Sequence, residues 1–140
     1  MENIMNFTVS TKGHYDFIDI TDQVNQIISK SGIKEGIALV FVSGSTAAIT
    51  TMEYEEGIEQ DLMDLFEKWA PEEADYKHHQ KWGDHNGAAH IKSAIIGTDQ
   101  SVPVIRGKLA LGTWQQVVMI DFDEKPRQRD IQVKIIPDKS

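Results

Sequence analysis

Apolar positions alternate with polar ones near both ends of the chain and fall at helical spacing in between. Phe7 and Val9, then Tyr15, Phe17 and Ile18, lie either side of a Lys12-Gly13 turn and predict two extended segments. Val24, Ile27 and Ile28 recur at helical intervals after Thr21, an N-cap candidate, and before Gly32, a helix stop. GIALVFVSGS, residues 36–45, is almost continuously apolar and reads as a central strand buried on both faces. TAAITTM, residues 46–52, is rich in β-branched side chains and predicts a further strand.

Residues 55–69 carry the clearest helical pattern. Ile58, Leu62, Leu65, Phe66 and Trp69 share one face, Glu55, Glu56 and Glu59 occupy the first turns, and Pro71 ends the helix. DYKHHQKWGDHNG, residues 75–87, is polar and Gly-bearing and predicts a functional loop. AAHIKSAIIG predicts a short helix closed by Gly97. The last third reads as strands: VPVI (102–105), KLALG (108–112), TWQQVVMIDF (113–122) and DIQVKII (130–136). Trp114 is expected in the core. Strands, helices and then a run of strands make an α+β pattern within one domain, residues 1–140.

Composition narrows the classes. Of 140 residues, 40% are hydrophobic and 26% charged, which supports a packed core and argues against disorder. The absence of cysteine excludes disulfides, thiolate metal sites and thiol chemistry. No apolar run approaches membrane-spanning length, and the N-terminus lacks the pattern of a secretory signal. A cytoplasmic protein without membrane attachment is expected. The net charge is −8, and Glu53 to Asp75 contains ten acids and one base. With no basic face, nucleic acid is not an expected partner.

Histidines occur at 14, 78, 79, 85 and 90, four of them within thirteen residues. Imidazole is the commonest metal ligand and the natural acid–base near neutral pH. Glu53 and Asp61 are the carboxylates that could complete a divalent metal shell with these histidines; imidazoles favour zinc, carboxylates magnesium. Glu53 stands at a strand-to-helix junction, where a carboxylate either points into a cleft or caps the helix. Asp61 sits near the apolar face of its helix and is expected to turn toward protein. Gly44-Ser45-Thr46 follows a strand and is similar to a phosphate-binding turn, without the Lys or glycine spacing of a P-loop. Arg127 and Arg129 suit bidentate phosphate binding, or pairing with Asp123 and Glu124 at a surface turn.

Several segments in one order resemble the YjbQ-like family, also called the secondary thiamine-phosphate synthase family. They are STAAITTME (45–53), Asp61, Tyr76-Lys77-His78, DHNGAAHIKSAIIGT (84–98), VPVIRGKLALGTWQQV (102–117) and FDEKPRQRDIQV (122–133). The resemblance implies a compact α+β fold with a large mixed, mostly antiparallel sheet, and a homotrimer. It implies a site of Glu53, Asp61, His78, Asn86 and His90, with Ser45, Thr46, Lys92, Arg127 and Arg129 for phosphates. A metal there would be held by His78, His90 and Glu53, with His79 an alternative to His78. The implied reaction joins a hydroxymethylpyrimidine pyrophosphate to a thiazole phosphate and releases pyrophosphate. Gly44 stands where the family's motif has a histidine, and the usual Asp-Gly-Pro-Arg turn is altered to Asp123-Glu124-Lys125-Pro126-Arg127. The alternative is therefore a non-catalytic trimeric protein that binds a small ligand or metal.

Overall fold

The computed structural model describes the backbone of residues 4–82 and 85–139, and the side chains of 5–79 and 85–139. Eight strands and four helices follow in the order β1 (Ile4–Ser10), β2 (Asp16–Asp19), α1 (Thr21–Ser31), β3 (Gly36–Ser43), β4 (Ala47–Met52), α2 (Glu56–Trp69), α3 (Lys77–Trp82), α4 (Gly87–Ile96), β5 (Asp99–Ile105), β6 (Lys108–Leu109), β7 (Gln116–Asp121) and β8 (Gln128–Pro137). This is the expected α+β fold. Every strand pairing among these residues is antiparallel.

The strands form two sheets, β1-β8-β3-β5-β6 and β2-β7-β4. Their facing sides and α1 enclose one core, which includes Val24, Ile28, Val40, Val42, Ile49, Met119, Ile131 and Val133. The opposite side of the smaller sheet packs Ala48, Val118 and Ile120 against Phe66 of α2 and Ala89 of α4 in a second core. The smaller sheet is thus the middle layer. That corrects the expectation for residues 36–45. β3 is central in its sheet, but its burial alternates and Ile37 is 46% exposed, because no described element covers the outer face. The strand buried on both faces is β7.

Other differences have local causes. Thr21 begins α1 but does not cap it; Asp19 Oδ1 accepts from the Thr21 N–H at 3.0 Å. Gly32 ends α1 in the left-handed conformation, as expected. Glu55 caps α2 by accepting from the N–H groups of Gly57 and Ile58. The apolar face of α2 is only partly covered: Phe66 is buried, whereas Leu65 and Trp69 are exposed. The expected loop at 75–87 contains α3; Gly83 and Asp84 lie outside the described residues. The strand predicted over KLALG shrinks to two residues. Trp114, expected in the core, is 74% exposed in the loop before β7. Among the described residues, no helix is long and apolar enough to cross a membrane.

Candidate functional site

The histidines converge because α3 folds back onto the first turn of α4. The rings of His78 and His90 lie 4.6 Å apart, centroid to centroid. His79 turns the other way, with its ring 5.3 Å from His85 and 5.2 Å from Tyr76. The two adjacent histidines therefore have different neighbours: His78 faces His90, and His79 does not.

Two cavities flank this row of imidazoles. The first, of about 470 Å³, is lined by His14, His79, His85 and Asn86, by Glu72, Glu73, Asp75 and Glu124, and by a floor that includes Ala89 and Phe122. Carboxylates and imidazoles dominate its described wall. Asn86 Oδ1 is buried at its edge and has no hydrogen-bond partner among the described residues. The second cavity, of about 430 Å³, is lined by Gly44, Ser45, His90, Ser93, Ala94, Gly97 and Thr98. Among the described residues it contains hydroxyls and an imidazole but no carboxylate.

Behind the second cavity lies an ionic cluster whose pairing of Arg127 with Asp123 was one expectation, and whose burial and use of Asp121 were not. Arg129 donates through Nε and Nη2 to the two oxygens of Asp121, at 3.0 and 2.9 Å, and through Nη2 to Thr46 Oγ1 at 2.7 Å. Thr46 in turn donates to Asp123 Oδ2 at 2.9 Å, and Arg127 pairs with the same oxygen at 3.1 Å. Thr46 is buried, and its hydroxyl is committed to these partners rather than turned to a ligand. Burial alone would raise the Asp123 pKa, but the Thr46 hydrogen bond, the Arg127 charge and two backbone N–H groups outweigh it and hold it below the ordinary carboxylate range. The remaining Arg129 nitrogen, Nη1, lies 2.9 Å from where a Cβ on Gly44 would sit. A fixed guanidinium thus backs the Gly44 wall of the cavity. A surface turn was one expectation for these arginines; Arg127 fits it in part, whereas Arg129 and both aspartates are interior.

Lys92, assigned to phosphates by the resemblance, points inward. Its ammonium donates to Glu67 Oε2 at 2.9 Å and to the Tyr15 hydroxyl, which itself donates to Glu67. Burial, then the hydrogen bond and charge of Glu67, push the Tyr15 phenol well above its usual range. Burial also acts to raise Glu67, but the hydrogen bonds from Tyr15 and Lys92 prevail and lower it. Tyr15 reaches this position because Gly13, His14 and Tyr15 all have positive φ, at 84°, 50° and 63°. The same bend sends His14 to the first cavity, where it lies 3.4 Å from Glu72. Such a run of left-handed residues is uncommon for non-glycine side chains. Only Gly13 signalled it in the sequence.

Glu53 and Asp61 are both exposed, and neither lines either cavity. Asp61 therefore does not turn toward protein as expected. Among the described residues, no three His, Asp or Glu side chains are grouped closely enough to hold a metal ion. A zinc centre normally takes three or four protein ligands. Among the described residues, the His78–His90 pair offers two.

The fold agrees with comparisons to known proteins. The family model described as UPF0047 protein YjbQ-like matches residues 5–138. The chain belongs to the YjbQ/UPF0047 family. It is 38% identical over 132 residues to a UPF0047 protein of Archaeoglobus fulgidus, covering 94% of this chain and all of that one. A relative from Bacillus subtilis is 34% identical over 91% of this chain and 95% of its own. A solved structure from Sulfolobus solfataricus, a YbjQ-like protein of unknown function, superposes with a TM-score of 0.86 at 35% identity, covering 96% of this chain and 98% of that one. A family structure from Clostridium acetobutylicum gives 0.86 at 37% identity, covering 94% and 99%.

Proposed function

We propose that this protein takes a small phosphorylated molecule into the cavity at Gly44-Ser45, beside His90. One observation carries the reading: the imidazole of His90 and the Ser45 turn share a cavity whose described lining holds no acid, with the Arg129 guanidinium behind its wall. Phosphate oxygens seek hydrogen-bond donors, and the Ser45 and Thr98 hydroxyls and the His90 imidazole offer them, with Arg129 Nη1 behind Gly44. The specific version is a thiamine-phosphate synthase-type transferase. Ser45 and the turn would orient the pyrophosphate group, and His90, with His78 against it, would donate to the departing pyrophosphate. Positioning and charge stabilisation would supply the catalysis. A divalent ion enters this reading only if donors beyond His78 and His90 join them.

The assembly is proposed as a homotrimer built on the outer face of α4. Ile91 and Ile95 are exposed there, one turn apart, and Ala94 between them lines the cavity. A contact on this face would bring a second copy to the rim of the site.

Isothermal titration with inorganic pyrophosphate tests the binding step. Wild type is expected to bind, and His90→Ala and Ser45→Ala each to weaken binding about tenfold, the equivalent of ~1.4 kcal/mol. Absence of binding, or indifference to both substitutions, would sink the reading. Pyrophosphate release from the paired pyrimidine and thiazole substrates then separates an enzyme from a binding protein.

Gly44 favours a second reading, a binding protein without turnover. Its φ is 147°, a conformation suited to glycine, and Arg129 occupies the space a side chain would need. The backbone here is built around the missing side chain, so an imidazole cannot simply be restored at this point. Binding of pyrophosphate with no release activity would select this reading.

A further inference from the structure

We infer that His79 is a positioning residue that sets the His78–His90 pair by capping α4 from outside. The first N–H groups of a helix have no partner within it and need an external acceptor. The N-cap of α4 is Asn86, whose side chain makes no capping hydrogen bond. Gly87, the first residue of α4, instead donates its N–H to His79 Nε2 at 2.9 Å. An imidazole nitrogen that accepts carries no proton, so the His79 ring proton belongs on Nδ1 in this geometry.

The ring is held in place on several sides. Tyr76 meets it nearly edge-on, with planes at 81°, and His85 does so at 75°. Gly87 leaves the room it needs: a Cβ there would lie 2.9 Å from both His79 Nε2 and Tyr76 Cβ. His78 is the next residue back along α3, and His90 lies in the first turn of α4, where its N–H donates to Asn86 O at 3.2 Å. The His79–Gly87 hydrogen bond therefore joins the two segments that carry the facing imidazoles. It does so from the first cavity, whose wall includes His79, while His90 lines the second. Without it, α3 loses a polar tie to α4, whereas Ala88, Ala89, Lys92 and Ser93 keep α4 anchored in the fold. The two adjacent histidines thus divide the labour, with His78 meeting His90 and His79 fixing where His78 stands.

The consequence for ligand binding rests on the proposed phosphate cavity; the positioning itself does not. The test uses the full chain with His79→Gln, whose amide oxygen can accept at similar reach, and His79→Leu, which fills space without accepting. Nuclear magnetic resonance reads the exchange rate of the Gly87 amide and the contact between the His78 and His90 rings. Isothermal titration with inorganic pyrophosphate reads the cavity. In His79→Leu, Gly87 exchange should accelerate about fivefold or more, as expected for loss of a cap. The ring contact should vanish and pyrophosphate affinity should fall about tenfold. His79→Gln should keep the ring contact and stay within about twofold of wild type in both rates and affinity. Unchanged Gly87 exchange or an intact ring contact in His79→Leu overturns the inference, as does equal damage by both substitutions. A wild type that binds no pyrophosphate overturns the phosphate reading instead, and the exchange and ring-contact measurements still decide the role of His79.

Discussion

Lys92 Nζ lies 2.9 Å from Glu67 Oε2, and the Lys92 side chain is only 1% exposed while Glu67 reaches solvent. The pair ties α4 to α2 through a lysine that a sequence motif assigns to ligand binding. Removal of the ammonium leaves Glu67 able to rehydrate, so the main loss is packed volume and the hydrogen bond to Tyr15. Lys92→Ala is expected to destabilise the fold by about 2–4 kcal/mol, and Lys92→Met, which refills the space, by about 1 kcal/mol. Urea unfolding checks both. Pyrophosphate affinity should not change in Lys92→Met; a large loss would return Lys92 to the site.

Asp123 links the arginine cluster to acid stability. Its folded pKa is lowered, so its contribution is complete above the unfolded carboxylate value near 3.8. It disappears as pH falls through the lower folded value. Asp123→Asn should therefore be less stable than wild type at neutral pH, and the gap should narrow steadily below about pH 4. Urea midpoints measured from pH 7 to pH 2.5 test this. A gap that stays constant across the range would contradict the pairing with Thr46 and Arg127.

Gly44 should resist substitution. Its φ of 147° and the 2.9 Å approach of Arg129 Nη1 strain any Cβ. Gly44→Ala is expected to lower stability by about 1–2 kcal/mol, and Gly44→His by at least as much, without a gain in pyrophosphate-releasing activity. Thermal melting beside the activity assay checks this. A stable, more active Gly44→His would show that only the side chain is missing from the site.

The proposed trimer can be tested on the α4 face. Ile95 is 58% exposed, and a carboxylate there would have to be buried without a partner in any assembly that covers it. Ile95→Glu should shift the particle from trimer toward monomer in size-exclusion chromatography with light scattering, while its circular dichroism stays native. A monomeric wild type would remove the trimer from the proposal.

Much of the secondary structure was legible because it depends on neighbours in the chain. The face of α1, its Gly32 stop, the start of α2 at its acids, the Gly97 end of α4 and the alternation in β8 all arise from local spacing and backbone preference. The gathering of four histidines was also visible as a density in the sequence. Composition alone excluded thiol and disulfide chemistry, because no cysteine is present.

Tertiary structure decided which of those residues meet. Apolar content could not tell β3 from β7, because whether a second face is covered depends on the layer packed against it, not on the strand. Trp114 and Asp61 are exposed and Lys92 is buried for the same reason: side-chain environment belongs to the packed layers, and residue type only biases it. Most clearly, sequence spacing left His78 and His79 interchangeable. A helix places consecutive side chains about 100° apart, so only the docking of α3 on α4 could turn one ring toward His90 and the other toward the Gly87 N–H.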